Sequence, residues 1–361
     1  MKVGLVTGGR WHNEPYLFLK KNRIKVVLFD DSKNCFLKKK YNLKNFKLNS
    51  MKNFLNMPFW SPCNDLGSVL SDYYNKKRFT KIKTRTNQLN QKNFDKKTFS
   101  NILNKKIIFK NKKYLLKSRS GSGSKEIEFW NGKSYNTKKY YLEEYLKGFE
   151  FSVEVVSNNS KHQIFAISLR VLKKIKSAIA ILTFSHSSKF KKFIQEFIEK
   201  HLNNHKVING VSHLELIINH EKKLKIIDTN LRCPGAGLTD YFYTMLTKKN
   251  LFEIDYNILL RNSKYNTYKT NFKNGIILFD HKKLNNFNQN LQNIFKYSNY
   301  HKLELNEFAK QDEEIDINRK GIAVKKFKSQ KDLIKFCKKI FKKKDYKQLL
   351  EFKYFYNKNF S

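Results

Sequence analysis

The stretch LKIIDTNLRCPGAG, Leu224–Gly237, starts as one kind of structure and ends as another. Leu224, Ile226 and Ile227 have the branched, apolar character of a buried strand. Asp228, Asn230 and Arg232 then follow at every second position, and a strand carries such residues to one face. A carboxylate, an amide and a guanidinium lined up at a strand mouth fit an ion-paired strand end. They fit equally a place where a metal and a phosphate meet.

The preceding arm sharpens the choice. Glu215 lies in SHLELII between apolar neighbours, where an unpaired carboxylate is costly. Polar residues at Asn219–Lys222 turn the chain and bring Glu215 across a hairpin to Asp228 and Asn230. Three oxygen donors at a strand end suit Mg²⁺, which takes a few protein oxygens and completes its shell with phosphate and water. Arg232, next on that face, suits a phosphate or the charge developing on an acyl phosphate. A Glu/Asp–Arg ion-pair network uses the same residues, and the residues alone leave both readings standing.

Two further constellations precede the hairpin. In LLKSRSGSGSKEI, Leu115–Ile127, a lysine ends a strand and Ser120, Gly121, Ser122, Gly123 and Ser124 form a loop of small residues. Such a loop lets backbone N–H groups turn towards phosphate oxygens, with Lys117 as a point charge. It equally serves as an ordinary hairpin loop, and no Gly-Lys-Ser/Thr opens a helix as a Walker loop requires. In YLEEYLKGFEFSVEVV, Tyr141–Val156, an acidic pair and a glycine lead Glu150 into a strand. A backbone of that kind can face an adenine edge, and Glu150 can accept from ribose hydroxyls; a solvated surface loop would look the same.

Around these segments the order is α/β first, then antiparallel strands mixed with helices (α+β). KVGLV, Thr7-Gly8-Gly9, a helix over Glu14–Lys21 and the strand in RIKVVLFDDS make a βαβ opening. It lacks a full G-x-G-x-x-G, so no dinucleotide fingerprint is present. KFKKFIQEFIEKHLNN predicts an amphipathic helix with Phe190, Phe193, Ile194, Phe197, Ile198 and Leu202 on one stripe. Helix is expected from Thr239 to about Leu260, then strands in NGIILFD and KGIAVKKF, and a closing helix in SQKDLIKFCKKIFKK.

The chain has 361 residues, 40% of them hydrophobic and 15% aromatic, which is a globular composition with room for two or three domains. No apolar run reaches membrane-spanning length, and MKVGLVTGGRW is too short in its apolar part for a signal peptide, so a soluble cytoplasmic protein is expected. Cys35, Cys63, Cys233 and Cys337 are scattered, which fits neither a zinc site nor a disulfide framework. The net charge of +44 invites a nucleic-acid-binding reading. Lysine far outnumbers arginine, however, and is spread along the chain with abundant Asn, Ile, Phe and Tyr, as adenine- and thymine-rich codons produce. Specific nucleic-acid binding is therefore not expected, although the charge will draw anions such as nucleotides.

The order of the three constellations resembles the ATP-grasp superfamily of carboxylate–amine ligases over about Met1–Thr247. Glu215 with Asp228-Thr229-Asn230-Leu231-Arg232 resembles that family's E…E-x-N-x-R, and FDKKTF resembles its D-K before the lid. The resemblance implies an N-terminal βαβ (pre-ATP-grasp) domain over 1–80 and an ATP-grasp domain over 81–265 with a mobile lid at about 111–184. A C-terminal α+β segment over 266–361 would complete a large antiparallel-sheet subdomain. It implies that Lys96 and Lys117 contact ATP phosphates and that Ser120–Ser124 close over them. Glu143, Glu144, Tyr145 and Leu146 would form the adenine hinge, with Glu150 on the ribose. Glu215, Asp228 and Asn230 would hold one or two Mg²⁺ ions (Mn²⁺ as a substitute), and Arg232 with Lys117 would serve the chemistry. Gly235-Ala236-Gly237 resembles the turn that faces the acid substrate.

Three positions depart from the family pattern: Ser118 for Pro, Glu126 for a Gly after the loop, and Asp228 for the commoner Glu. The implied activity is ADP-forming ligation of a small carboxylic acid to an amine, the acid being activated as an acyl phosphate. Bicarbonate or carbamate activation would use the same nucleotide site, and a basic nucleic-acid-binding protein is the rival of another class. Neither substrate is legible in the sequence, nor is the oligomeric state, for which a homodimer is one option.

Overall fold

The computed structural model describes residues 1–32, 35–54, 56–86, 112–119, 127–174, 177–235, 237–263, 274–281, 287, 300–302 and 319–360. The N-terminal part is a parallel sheet in the order β3-β2-β1-β4, from β1 (Lys2–Val6), β2 (Lys25–Phe29), β3 (Asn45–Phe46) and β4 (Phe59–Trp60). Helices α1 (Asn13–Lys21), α2 (Phe36–Tyr41) and α3 (Asp65–Arg78) connect and flank these strands. The expected βαβ opening is present, with β1 and β2 paired in parallel. The Asn64 side chain starts α3 by accepting from Gly67 N at 2.8 Å.

A separate three-stranded sheet follows, in the order β6-β5-β7, from β5 (Tyr114–Ser118), β6 (Ile127–Phe129) and β7 (Tyr140–Glu144). The eight-stranded sheet has the order β12-β11-β8-β9-β10-β13-β15-β14. Its members are β8 (Phe149–Asn158), β9 (Lys161–Lys174), β10 (Ser177–Thr183), β11 (Gly210–Ile218), β12 (Leu224–Asn230), β13 (Asn274–His281), β14 (Tyr300–Lys302) and β15 (Arg319–Phe327). Of the segment expected as a lid, therefore, Tyr114–Glu144 makes the separate sheet, whereas Phe149–Thr183 supplies three central strands of the large one.

One face of the large sheet is covered by α4 (Ser188–Asn204) and by α7 (Gln330–Ile340) and α8 (Lys343–Phe360). Phe151, Val153, Leu169 and Leu214 meet Phe190, Ile194, Ile198, Leu333 and Phe352 there. The other face packs on the segment after Gly237 and on the N-terminal domain. That segment is not one helix. A π-helical turn (Leu238–Tyr243) runs into α5 (Thr244–Thr247), Lys248 turns left-handed at φ 61°, and the Asn250 side chain caps α6 (Leu251–Leu259). The expected closing helix is α7, which ends at Ile340; a further helix not expected from the sequence, α8, follows and carries a second buried stripe of Leu349, Phe352 and Phe355.

Candidate functional site

The β11–β12 hairpin places Glu215 opposite Asp228 and His213 opposite Asn230. On its other side β11 pairs with β8, setting Glu215 opposite Ser152 and His213 opposite Glu154. The β8–β9 ladder adds Arg170 opposite Glu150 and Ser168 opposite Ser152. Residues directly opposite in antiparallel strands share a face. Four strands thus carry one polar face in an otherwise apolar sheet.

That face is a network of paired charges. Arg170 Nη1 binds Glu215 Oε2 and lies 3.6 Å from Glu150 Oε2. His213 Nε2 is 3.5 Å from Glu215 Oε1, and its Nδ1 is 3.0 Å from Glu154 Oε2. Tyr243 OH donates to Glu154 Oε1 at 3.0 Å and lies 3.1 Å from Ser168 Oγ. Burial opposes a charge on His213, but Glu154 and Glu215 outweigh it and push its pKa up to about 9. Burial would also raise Glu215, yet Arg170 and His213 hold its carboxyl far below the usual carboxylate range. Glu150 goes the other way: burial pushes it up to about 7 against the pull of Arg170.

The hairpin is not regular. Leu216 pairs with Ile226 and Glu215 with Asp228, so Ile227 is an extra residue on the edge strand. The carbonyl of Ile227 accepts from Lys117 Nζ at 2.5 Å, joining β5 to the large sheet. The same bulge brings Lys225, opposite Ile217, onto the face that carries Asp228. Lys225 is 3.2 Å from Glu143 Oε1, and Lys117 is 3.2 Å from Glu143 Oε2. One buried carboxylate thus serves two ammonium groups. Burial opposes the charge of both lysines; Glu143, Tyr141 and Asp228 hold Lys117 above its ordinary pKa, whereas Lys225 is left below it.

Of the expected hinge, Glu143 turns inward to those lysines and the Glu144 side chain meets Lys112 at 2.8 Å. Glu144 C=O accepts from Lys225 Nζ, and Tyr145 N–H donates to Lys113 O at 2.8 Å. Leu146 is half-buried. Lys96, Ser120, Gly121, Ser122, Gly123, Ser124 and Glu126 lie outside the described residues; Ser118 is the last residue of β5.

Beyond the strand, Asn230 Nδ2 donates to Asp228 Oδ2 at 3.1 Å and Asn230 Oδ1 lies 3.4 Å from Arg232 Nη2. Arg232 Nε donates to Asp65 Oδ1 at 2.7 Å, at the start of α3 in the N-terminal domain. Nearby His12 Nε2 lies 3.2 Å from Thr7 Oγ1 and 3.4 Å from Ser61 Oγ. Burial, and then Arg232, push His12 down to about 3, so it is neutral. These residues lie beyond the carboxyl ends of β1 and β4, where parallel sheets place ligands. Burial raises the pKa of Cys233 well above the usual value, so its thiol is no nucleophile.

The residues on this face fit a hard divalent ion in part. Asp228 and Asn230 offer oxygen donors of the right kind, whereas both Glu215 oxygens already face cations. Among the described residues no group of three or more His, Cys, Asp or Glu side chains is arranged to hold a metal.

A parallel α/β domain, a small antiparallel sheet and a large antiparallel sheet, joined to the small one through Lys117, make up the fold. Residues 80–236, somewhat under half of the chain, match the family model described as the ATP-grasp domain. Solved structures agree with that fold over nearly the whole length. The N5-carboxyaminoimidazole synthetase of Staphylococcus aureus, complexed with ADP, superposes with a TM-score of 0.68 at 14% identity, covering 93% of this chain and 96% of that one. The L-amino acid ligase of Bacillus licheniformis gives 0.68 at 10% identity with the same coverage. The N5-carboxyaminoimidazole synthase of Aspergillus clavatus, in complex with ADP and 5-aminoimidazole ribonucleotide, gives 0.63 at 12%, covering 92% and 95%. No curated protein sequence matches significantly. Among the described residues no helix is long and apolar enough to cross a membrane.

Asp65, His12, Arg170, His213 and Lys225 were not among the residues expected from the sequence. The signal for His12 was present in Thr7-Gly8-Gly9 at the end of β1, while Asp65 is 167 residues from Arg232 and gave none.

Proposed function

We propose that the protein is an ATP-dependent ligase that activates a small carboxylic acid as an acyl phosphate and joins it to an amine, releasing ADP and phosphate. The observation that carries this reading is the meeting of Lys117, from the small sheet, with the strand that bears Asp228 and Asn230 and leads into Arg232. It brings a fixed ammonium, oxygen donors and a guanidinium to one strand end, which is what phosphoryl transfer to a carboxylate requires.

Lys117 and Arg232 would face the triphosphate, with Lys96 and the loop Ser120–Ser124 completing its surround. The hinge Glu143–Leu146 would meet adenine. Glu150, at about pKa 7, exists partly as the neutral acid near neutral pH and would both accept from and donate to ribose hydroxyls. Mg²⁺ bound by Asp228 and Asn230, with Glu215 beside them, would offset phosphate charge; Mn²⁺ would substitute. Arg232, oriented by Asp65, would hold the transferring group against the substrate carboxylate, and His12 would present a neutral ring to that substrate. The amine then displaces phosphate. Positioning and electrostatics supply the rate, with no covalent enzyme nucleophile. A cytoplasmic location goes with this use of ATP.

Incubation with Mg-ATP, a panel of carboxylic acids and a panel of amines tests the reading. ADP should appear only when an acid and an amine are both present, and Asp228→Ala and Arg232→Ala should each lower its formation by about 100-fold or more. Ligation that survives both substitutions would sink the site assignment. ADP release with bicarbonate as the acid would favour the bicarbonate- or carbamate-activating alternative.

A further inference from the structure

We infer that Arg170 is a built-in cation of the nucleotide site, taking the place of a second metal ion, so that the site holds one divalent ion per nucleotide. The inference rests on the ligase reading above and concerns how its charge is balanced. Glu215 and Asp228 face each other across the β11–β12 ladder, a spacing that offers carboxylate oxygens for two ions. Glu215 is nevertheless already committed. Its Oε2 takes the Arg170 guanidinium, and its Oε1 faces His213, which is itself anchored on Glu154 at 3.0 Å. The same Arg170 Nη1 also lies 3.6 Å from Glu150 Oε2. A second divalent ion on Glu215 would have to stand beside the permanently charged Arg170 guanidinium, which repels it.

Asp228 is placed differently, its Oδ2 accepting from Asn230 at 3.1 Å, and this end is where a single ion fits. The guanidinium itself suits phosphate. It is planar, permanently charged and carries more donors than two carboxylates consume. Its buried Nε and the buried hydroxyl of Ser152, directly opposite Glu215 on β8, have no hydrogen-bond partner among the described residues. The Arg170, Glu150 and Glu215 side chains remain 13%, 14% and 22% exposed, so a ligand can reach them.

The test counts ions. MnCl₂ is titrated into the full-length protein with and without ADP or a non-hydrolysable ATP analogue, and free Mn²⁺ is followed by electron paramagnetic resonance. One tightly bound ion per nucleotide-loaded chain is expected. Arg170→Gln should either admit a second ion or weaken nucleotide binding by about tenfold or more, the size of one charge-assisted hydrogen bond. Two ions in the wild-type complex would overturn the inference and leave the ligase reading intact. So would an Arg170→Gln protein with one ion and unchanged affinity. If that variant fails to fold, the wild-type count decides alone. Failure of the wild-type protein to bind either nucleotide would remove the ligase reading and this inference with it.

Discussion

Two buried arginines in this protein each sit between two carboxylates, with opposite consequences. Arg85 meets Asp72 at 3.1 Å and Asp255 at 2.7 Å; Arg170 meets Glu150 and Glu215. Around Arg85 the carboxylate oxygens are saturated: Arg85 N and Nη1 reach Asp72, while Val211 N, Trp60 Nε1 and Arg85 Nη2 reach Asp255. The three side chains are 2%, 3% and 0% exposed. This triad ties α3, β4, β11 and α6 together and admits nothing else. The Arg170 triad has the same charges but is several-fold more exposed. Both arginines carry an Nε without a partner among the described residues, so the orphaned donor alone does not mark a site. Saturation and access do.

The largest expected effect separates the two directly. Arg85→Met leaves two sealed carboxylates unpaired and should cost about 3–5 kcal/mol in urea unfolding. Arg170→Met, at the more open triad, should cost only about 1–2 kcal/mol while weakening nucleotide binding. Equal losses of stability would erase the distinction.

Arg232→Ala should lower the rate of ADP formation by roughly 100- to 1,000-fold with little change in KM for ATP, as removal of a transition-state donor does. Asp65→Asn keeps the guanidinium but loosens its aim, and should lower kcat by about tenfold. A KM effect with kcat unchanged would make Asp65 merely structural.

His213 gives the third test. Its folded pKa of about 9 lies above the ordinary 6.5, so the folded state binds the extra proton. Its contribution is therefore complete below pH 6.5 and is lost as pH rises through 9, up to about 3 kcal/mol. Urea midpoints of metal-free protein should fall across that window, and His213→Asn should flatten the fall. Asp72, raised from 3.8 to about 6 by burial, acts in a lower window. Its contribution is complete below pH 3.8 and lost as pH rises through 6, so the two triads separate on the pH axis.

Gly148→Ala is the smallest change. A Cβ there would lie 2.2 Å from the Ile218 carbonyl oxygen, between the hinge and β8. The backbone must shift, at about 1–3 kcal/mol. A melting temperature identical to wild type would show that the hinge entrance is looser than this contact implies.

Period-two spacing survives in the strand, so Asp228 and Asn230 could be placed on one face from their numbers alone, and Arg232 follows just beyond the strand end. Lys225 could not, because alternation from Asp228 puts it on the far face and only the extra residue at Ile227 returns it. Arg170 lies in the apolar run HQIFAISLRVL, and its partners come from β8 and β11, which no local pattern connects. The parallel opening and the long antiparallel strands were legible from hydrophobic runs. The last helix, α8, was not expected, and its buried stripe of Leu349, Phe352 and Phe355 lies beyond the closing helix read from the sequence.

The bulge at Ile227 also bears on the thermodynamics of ligand capture. One carbonyl released from the ladder gives Lys117 a docking point on the large sheet before any nucleotide arrives. The strands of the small sheet are thereby held over the cleft in advance, and the entropy of bringing them there belongs to folding rather than to binding. A nucleotide bound as proposed would not have to bring these strands to the large sheet, so its heat-capacity change should carry no contribution from docking them.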